Sequence, residues 1–119
     1  MNLEEFREYC LSKKGVEETF PFGEETLVFK VMGKMFALTG LDSETATANL
    51  KCDPLRAVEL RESHPQIIPG YHMNKKHWNT VELETGLDNE LLTELIDHSY
   101  DLVVEKMPKK LREELNNLP

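Results

Sequence analysis

The densest group of chemically capable residues is Tyr71-His72-Met73-Asn74-Lys75-Lys76-His77-Trp78-Asn79. Lysines, histidines, amides and the one tryptophan of the chain crowd into this short stretch. Lysines meet phosphate oxygens and flat rings stack on bases, so the mixture suits a nucleic-acid or nucleotide site. The competing reading is a solvated loop leading into a strand whose Trp78 packs in the core. Both readings stand on the sequence alone. His72 and His77 have no carboxylate or cysteine at ligand spacing, and HExxH is absent, so no metal centre is expected.

Other chemistries find less support. The chain has no Walker loop, no GxGxxG and no GxSxG. Cys52 precedes the helix-start pair Asp53-Pro54, where a helix N-terminus would lower a thiol pKa, but a buried, inert thiol is the expectation. Cys10 and Cys52 are the only cysteines and form no CxxC pair, so free thiols are expected. An active site would have to be assembled from Cys52, Asp53, His72 and His77, and no spacing fixes their distances. Glu4, Glu5 and Glu8 read as a solvated helix face, not a cation site. Ser99 interrupts an apolar stripe and is expected to bond a neighbouring backbone, not to act as a nucleophile. No enzyme and no cofactor are expected.

The elements that must position these residues read as follows. Leu3, Phe6 and Cys10 mark a helix over 3–13, with Gly15 as its stop after Lys13-Lys14. Leu27–Val31 and Met35–Thr39 read as a hairpin, with Gly33 expected at the first central position of a type II′ turn. Thr45–Leu50 alternates as a third strand. Asp53 caps and Pro54 opens a helix over 54–63, which Pro65 stops. Ile67-Ile68 is a short extended piece, and Trp78–Leu83 is the last strand. Asp88 is expected to cap the longest helix, whose stripe runs Leu91, Leu92, Leu95, Ile96, Ser99, Leu102, Val103. Pro108 precedes a short terminal helix over 109–116. The order α-β-β-β-α-β-β-α, with strands in hairpins, implies an α+β two-layer fold: an antiparallel sheet covered by helices on one side.

At 119 residues the chain has the length of one domain, expected to run over 1–119. Its 30% charged residues fit a folded, water-facing surface, and no apolar run reaches the ~20 residues that span a bilayer. The acidic start lacks a signal-peptide core, so a cytoplasmic protein and a monomer are the expectations. The net charge of −8 argues against phosphate contact in general. However, residues 28–77 hold seven basic groups against five acidic ones, while both ends are strongly acidic. One mildly basic face on an acidic body is implied.

Several segments together carry a resemblance. They are Phe20-Pro21-Phe22-Gly23, Phe29 through Ala37, Asn49-Leu50-Lys51-Cys52-Asp53-Pro54, Pro69 through Val81, and Ser99-Tyr100-Asp101-Leu102-Val103-Val104. In this order they resemble the MmcQ/YjbR family of small bacterial proteins. That resemblance implies a CyaY-like or secretion-chaperone-like two-layer fold. It also implies DNA binding through a double-wing arrangement of hairpins. The Met32–Met35 turn with Lys30 and Lys34 would be one wing, and the Tyr71–Asn79 loop would lie near the second. On this reading Lys30, Lys34, Lys51, Lys75 and Lys76 contact phosphates, with Arg56, His72, His77, Trp78 and Asn79 beside them. The alternative is a non-enzymatic protein-interaction domain with no nucleic-acid ligand.

Overall fold

The computed structural model describes residues 1–70 and 73–119. Six strands form one antiparallel sheet: β1 (Val16–Thr19), β2 (Thr26–Val31), β3 (Lys34–Gly40), β4 (Thr47–Lys51), β5 (Ile67–Pro69) and β6 (Trp78–Glu82). Their order in the sheet is β1-β2-β3-β4-β6-β5. Four helices accompany them: α1 (Leu3–Leu11), α2 (Pro54–Ser63), α3 (Asn89–Glu105) and α4 (Lys109–Asn116). The α+β two-layer architecture is as expected from the sequence, with one strand more. Val16-Glu17-Glu18-Thr19 pairs with β2 as an edge strand. Its single strongly apolar residue gave no alternation to read.

Alternation along the strands sorts the side chains. Leu27, Phe29, Val31, Ala37, Ala48, Leu50, Ile67 and Val81 join Phe6, Cys10, Leu92, Leu95, Ile96, Val103 and Leu115 in one core. All four helices therefore lie on the same side of the sheet. Between them, Val28, Leu38 and Trp78 face the other way and form a small second cluster with Met35 and Met73. The α3 stripe holds as expected: Leu92, Leu95, Ile96, Ser99 and Val103 are buried.

Three local expectations are corrected. The β2–β3 turn has positive φ at both central residues, Met32 (50°) and Gly33 (82°). That is the signature of a type I′ turn, so Gly33 takes the second central position and Met32 the first. Packing of the Met32 side chain against the core accompanies this unusual backbone state. Second, α1 ends at Leu11 with Ser12 as its C-cap, so Lys13 lies beyond the helix. There it pairs with Asp97 at 2.5 Å and sits over the Tyr100 ring. Third, Asp88 occupies the N-cap of α3 but its side chain makes no capping bond. Asp53, in contrast, accepts from the amides of Leu55 and Arg56, with Pro54 at the start of α2 as expected.

One irregularity shapes everything near the site. The β2–β3 register slips so that Phe29 faces Ala37 and Lys30 faces Met35, leaving Phe36 as the extra residue of a bulge. The β3–β4 pairing covers only Ala37↔Leu50 and Leu38↔Asn49. Beyond that, the Ser99 hydroxyl enters between the two strands. It donates to the Phe36 carbonyl and accepts from the Lys51 amide at 2.9 Å. Ser99 is fully buried, and its bonding to neighbouring backbone agrees with the sequence expectation. A wedge from α3 thus takes over two ladder groups, and β3 and β4 diverge at this end of the sheet.

Candidate functional site

The helix-free face of the sheet carries the candidate site. On β2, Thr26, Val28 and Lys30 point to this side, because Leu27, Phe29 and Val31 point to the core. Cross-strand partners share a face, so Lys30 lies beside Met35 and beside Glu17 of β1. Lys51 and Trp78 are likewise partners across β4 and β6. Lys30 and Lys51 therefore lie toward one end of this face, and Lys34, opposite the core residue Val31, starts β3 on the helix side at the same end of the sheet. The loop bearing Lys75, Lys76 and His77 enters β6 at this same end, where the Cys52 amide donates to the His77 carbonyl at 2.8 Å. Lys34, Lys75 and Lys76 are exposed, and Lys30, Lys51 and His77 are half-buried.

The opposite end of the face is a groove of about 630 Å³, lined by apolar Phe22, Leu38, Ile68 and Met73, by polar Thr26, Thr47 and Asn49, and by one carboxylate, Asp42. This volume lies within the range of small-ligand pockets. Phe22 is 67% exposed and Ile68 50%, so both rings and aliphatic surface are open to a ligand.

The remaining sequence candidates are placed differently. Trp78 is 8% exposed and packs against Val28 and Leu38, so the core reading of this residue holds and its ring is not a free stacking platform. Asn79 is 2% exposed on the helix side, where its Oδ1 accepts from Arg61 Nε at 2.8 Å. Its Nδ2 is buried there without a hydrogen-bond partner among the described residues. Arg56 is tied to Glu94 in an ion pair and is drawn away from the face. His72 lies outside the described residues, as does Tyr71, so the loop before β6 is described only from Met73 onward.

Sequence reasoning passed over Arg61. Its guanidinium bonds Asn79 and the Lys75 carbonyl (2.9 Å), so α2 holds the lysine loop by its backbone. Its position on a helix before Pro65 marked it only as one more cation. Asn74 completes the loop: its Oδ1 accepts from the Lys76 amide, and its carbonyl accepts from the amides of His77 and Trp78. The loop is thus fixed by backbone bonds while the lysine side chains stay outside.

Two of the four candidates for an active site, Cys52 and Asp53, have other engagements. Burial is the main cause that pushes the Cys52 thiol up to about 11, outweighing the nearby Arg56 and Arg61 cations. It stays a thiol at neutral pH, and the lowered value suggested by the helix start is not realised. Burial also pushes the Cys10 thiol up to about 12. The Asp53 carboxylate is spent on capping α2. Among the described residues no three His, Cys, Asp or Glu side chains gather where a metal could sit. No helix among them is long and apolar enough to cross a membrane.

His98 on α3 closes the back of the site. Its Nε2 accepts from the Asp53 amide at 3.1 Å, which requires the neutral ring. Burial first, and then the Arg56 cation, hold its pKa below the ordinary histidine value. A histidine with a depressed folded pKa stabilises the fold fully above its unfolded value of about 6.5 and loses that contribution as pH falls through the folded value. Melting temperature should therefore drop on acidification from about pH 7 to about pH 5, and His98→Gln should flatten that part of the profile. Parallel profiles for the two proteins would refute the linkage.

The helices under one face of a six-stranded antiparallel sheet, with a lysine-fringed, groove-bearing opposite face, define a two-layer α+β domain built to leave one sheet face accessible. The YjbR family model matches residues 11–102. The chain belongs to the YjbR family. It is 31% identical over 118 residues to the uncharacterized protein YjbR of Escherichia coli K12, covering 99% of this chain and all of that one (100%). It is 42% identical over 95 residues to the uncharacterized protein YbdF of Escherichia coli O157:H7, covering 80% and 78% of the two chains. In structure it is similar to Deinococcus radiodurans protein DR2400, a DUF419 domain. The TM-score is 0.90 at 48% identity, over 99% of this chain and 89% of that one. A crystal structure of a Pseudomonas syringae protein gives a TM-score of 0.75 at 30% identity, over 86% and 98%.

Proposed function

We propose that this domain binds DNA through the helix-free sheet face, without catalysis. Phosphates would meet Lys30, Lys34, Lys51, Lys75 and Lys76, and a base would enter the groove beside Phe22. One observation carries the reading: five lysines meet at one end of the sheet, while twelve of the 22 acidic residues lie on the helices, with Glu17 beside Lys30 and Asp42 in the groove as the acids nearest the site. Glu4, Glu5 and Glu8 lie on α1, Glu59 and Glu62 on α2, Glu90, Glu94, Asp97, Asp101 and Glu105 on α3, and Glu113 and Glu114 on α4. The lysines named above lie on strands or the loop of the other layer. A net charge of −8 then opposes long-range approach without preventing local contact. Phe22 replaces Trp78 as the aromatic surface, and a splayed-out base needs a single strand. Single-stranded DNA is therefore the expected ligand over duplex.

The test is fluorescence anisotropy of a labelled single strand and a labelled duplex at low and physiological salt. Saturable binding of the single strand should weaken steeply with salt, each engaged phosphate adding about 0.9 to the slope. The double change Lys75→Glu, Lys76→Glu should lower affinity about equally for all sequences and reduce the slope by about 2. Flat curves for both DNA forms would overturn the reading. They would turn attention to a protein partner, for which Leu55 (78% exposed) and Val58 (46%) on the outside of α2 offer an apolar surface.

A further inference from the structure

Where Ser99 drives β3 and β4 apart, a second cleft of about 370 Å³ opens at the sheet end. Lys34 and Lys51 reach it from the two strands and Lys106 from the C-cap of α3, with Gly33, Val103 and Met107 as further walls. No carboxylate lines it. Among the described residues none of these three lysines has an ion-pair partner; the pairs present use Arg7, Lys13, Arg56 and Lys109.

Three lysines line this open cleft, two of them exposed and Lys51 half-buried, and like charges held on one concave surface repel each other. The Lys51 stem is half-buried, and burial together with the Lys106 cation already depresses its pKa. The negative end of the α3 dipole lies at Lys106 and offsets part of its charge. The missing counter-charge has a definite chemistry. Ammonium groups bind as point charges with rotatable donors, which suits the oxygens of a phosphate more than one planar carboxylate. The apolar walls from Val103 and Met107 raise the strength of each contact by keeping water out of one side.

We propose that this cleft is a binding site for a dianionic phosphate group, held by Lys34, Lys51 and Lys106. Either free phosphate or the terminal phosphate of a larger molecule, such as the 5′-phosphate of a DNA strand, supplies that chemistry. The site shares Lys34 and Lys51 with the lysine group described above, but it stands on its own geometry and adds Lys106, which lies on the helical layer.

Amide NMR spectra of the whole protein, titrated with inorganic phosphate against sodium chloride at matched ionic strength, test it. The expected result is saturable shifts with phosphate, and not with chloride, at the amides of Gly33, Lys34, Lys51 and Lys106. The double variant Lys51→Met, Lys106→Met should keep the folded spectrum and bind phosphate at least about tenfold more weakly. If that pair loses its fold, Lys106→Met alone, changing an exposed residue, takes its place. Shifts that never saturate, match those from chloride, or survive the variants overturn the site. A second arm compares 5′-phosphorylated and 5′-hydroxyl thymidine oligonucleotides at the same amides. Preference for the phosphorylated strand identifies a strand end as the source, no response to either strand identifies the free anion, and equal response to both means that backbone diesters suffice and overturns the dianion site. Phosphate binding without oligonucleotide binding keeps this site and removes the DNA reading, whereas oligonucleotide binding without phosphate saturation does the reverse.

Discussion

Replacing Ser99 by alanine should destabilise the protein by about 2–4 kcal/mol, although only one oxygen is lost. The hydroxyl is fully buried and serves two backbone groups at once, the Phe36 carbonyl and the Lys51 amide. Each buried backbone group left without a partner costs about 1–3 kcal/mol. Neither can turn to a strand neighbour: Phe36 is the bulged residue of β3, and Lys51 lies past the last β3–β4 pair. In urea, the unfolding midpoint should fall with little change in m. A loss below about 1 kcal/mol would mean that β3 and β4 close and bond each other directly. The phosphate cleft would close with them, so Ser99→Ala should also abolish phosphate-specific shifts in that case. Stability and the shape of the cleft are thus linked through one side chain.

Much of this architecture is legible in the sequence because its signals are local. Asp53-Pro54 marks a helix start with a carboxylate that caps and a residue that lacks the amide needing a cap. The α3 stripe repeats over four turns, long enough to outweigh Ser99 in its middle. The β2–β3 hairpin shows through the alternation on both sides of Met32-Gly33. What stays hidden has a long-range cause. β1 is an edge strand whose Glu18, opposite core-facing Phe29, turns to the helix side, where Arg7 of α1 meets it at 2.6 Å. The bulge at Phe36 depends on a partner in α3. The turn type depends on Met32 packing, which local preference for glycine at the first turn position could not foresee.

The candidate site divides along the same line. Period-2 alternation places Lys30 and Lys51 on one face, while Lys34, opposite Val31, and the loop residues Lys75 and Lys76 meet them at the same end of the sheet. Arg56 does not, since its partner Glu94 comes from α3. Lys106 and Arg61 carried no signal in the sequence. One acts through a cleft formed by three elements, the other by reaching from α2 to a loop carbonyl. Adjacent Trp78 and Asn79 necessarily point to opposite sides of β6, but alternation alone does not say that both are covered.

Trp78→Ala should cost about 3–5 kcal/mol, the loss typical of a large aromatic removed from a packed position. A surface platform for stacking would cost far less, so the measurement separates the two roles that the sequence left open. The ring lies on the helix-free side, yet Val28 beneath it is fully buried and Leu38 nearly so. Such coverage without a helix layer requires the indole itself, with Met35 and Met73 at its edges. Removing it would expose Val28 and Leu38 and loosen the loop that carries Lys75 and Lys76. Trp78→Phe keeps a ring and should lose about 1–2 kcal/mol. At temperatures where both remain folded, Trp78→Phe should bind single-stranded DNA as the parent does, while Phe22→Ala should weaken binding by the ~1–3 kcal/mol of one stacked base. A reversal, with Trp78→Phe weakening binding and Trp78→Ala costing under about 1 kcal/mol of stability, would return the indole to the ligand and take the groove beside Phe22 out of the interface.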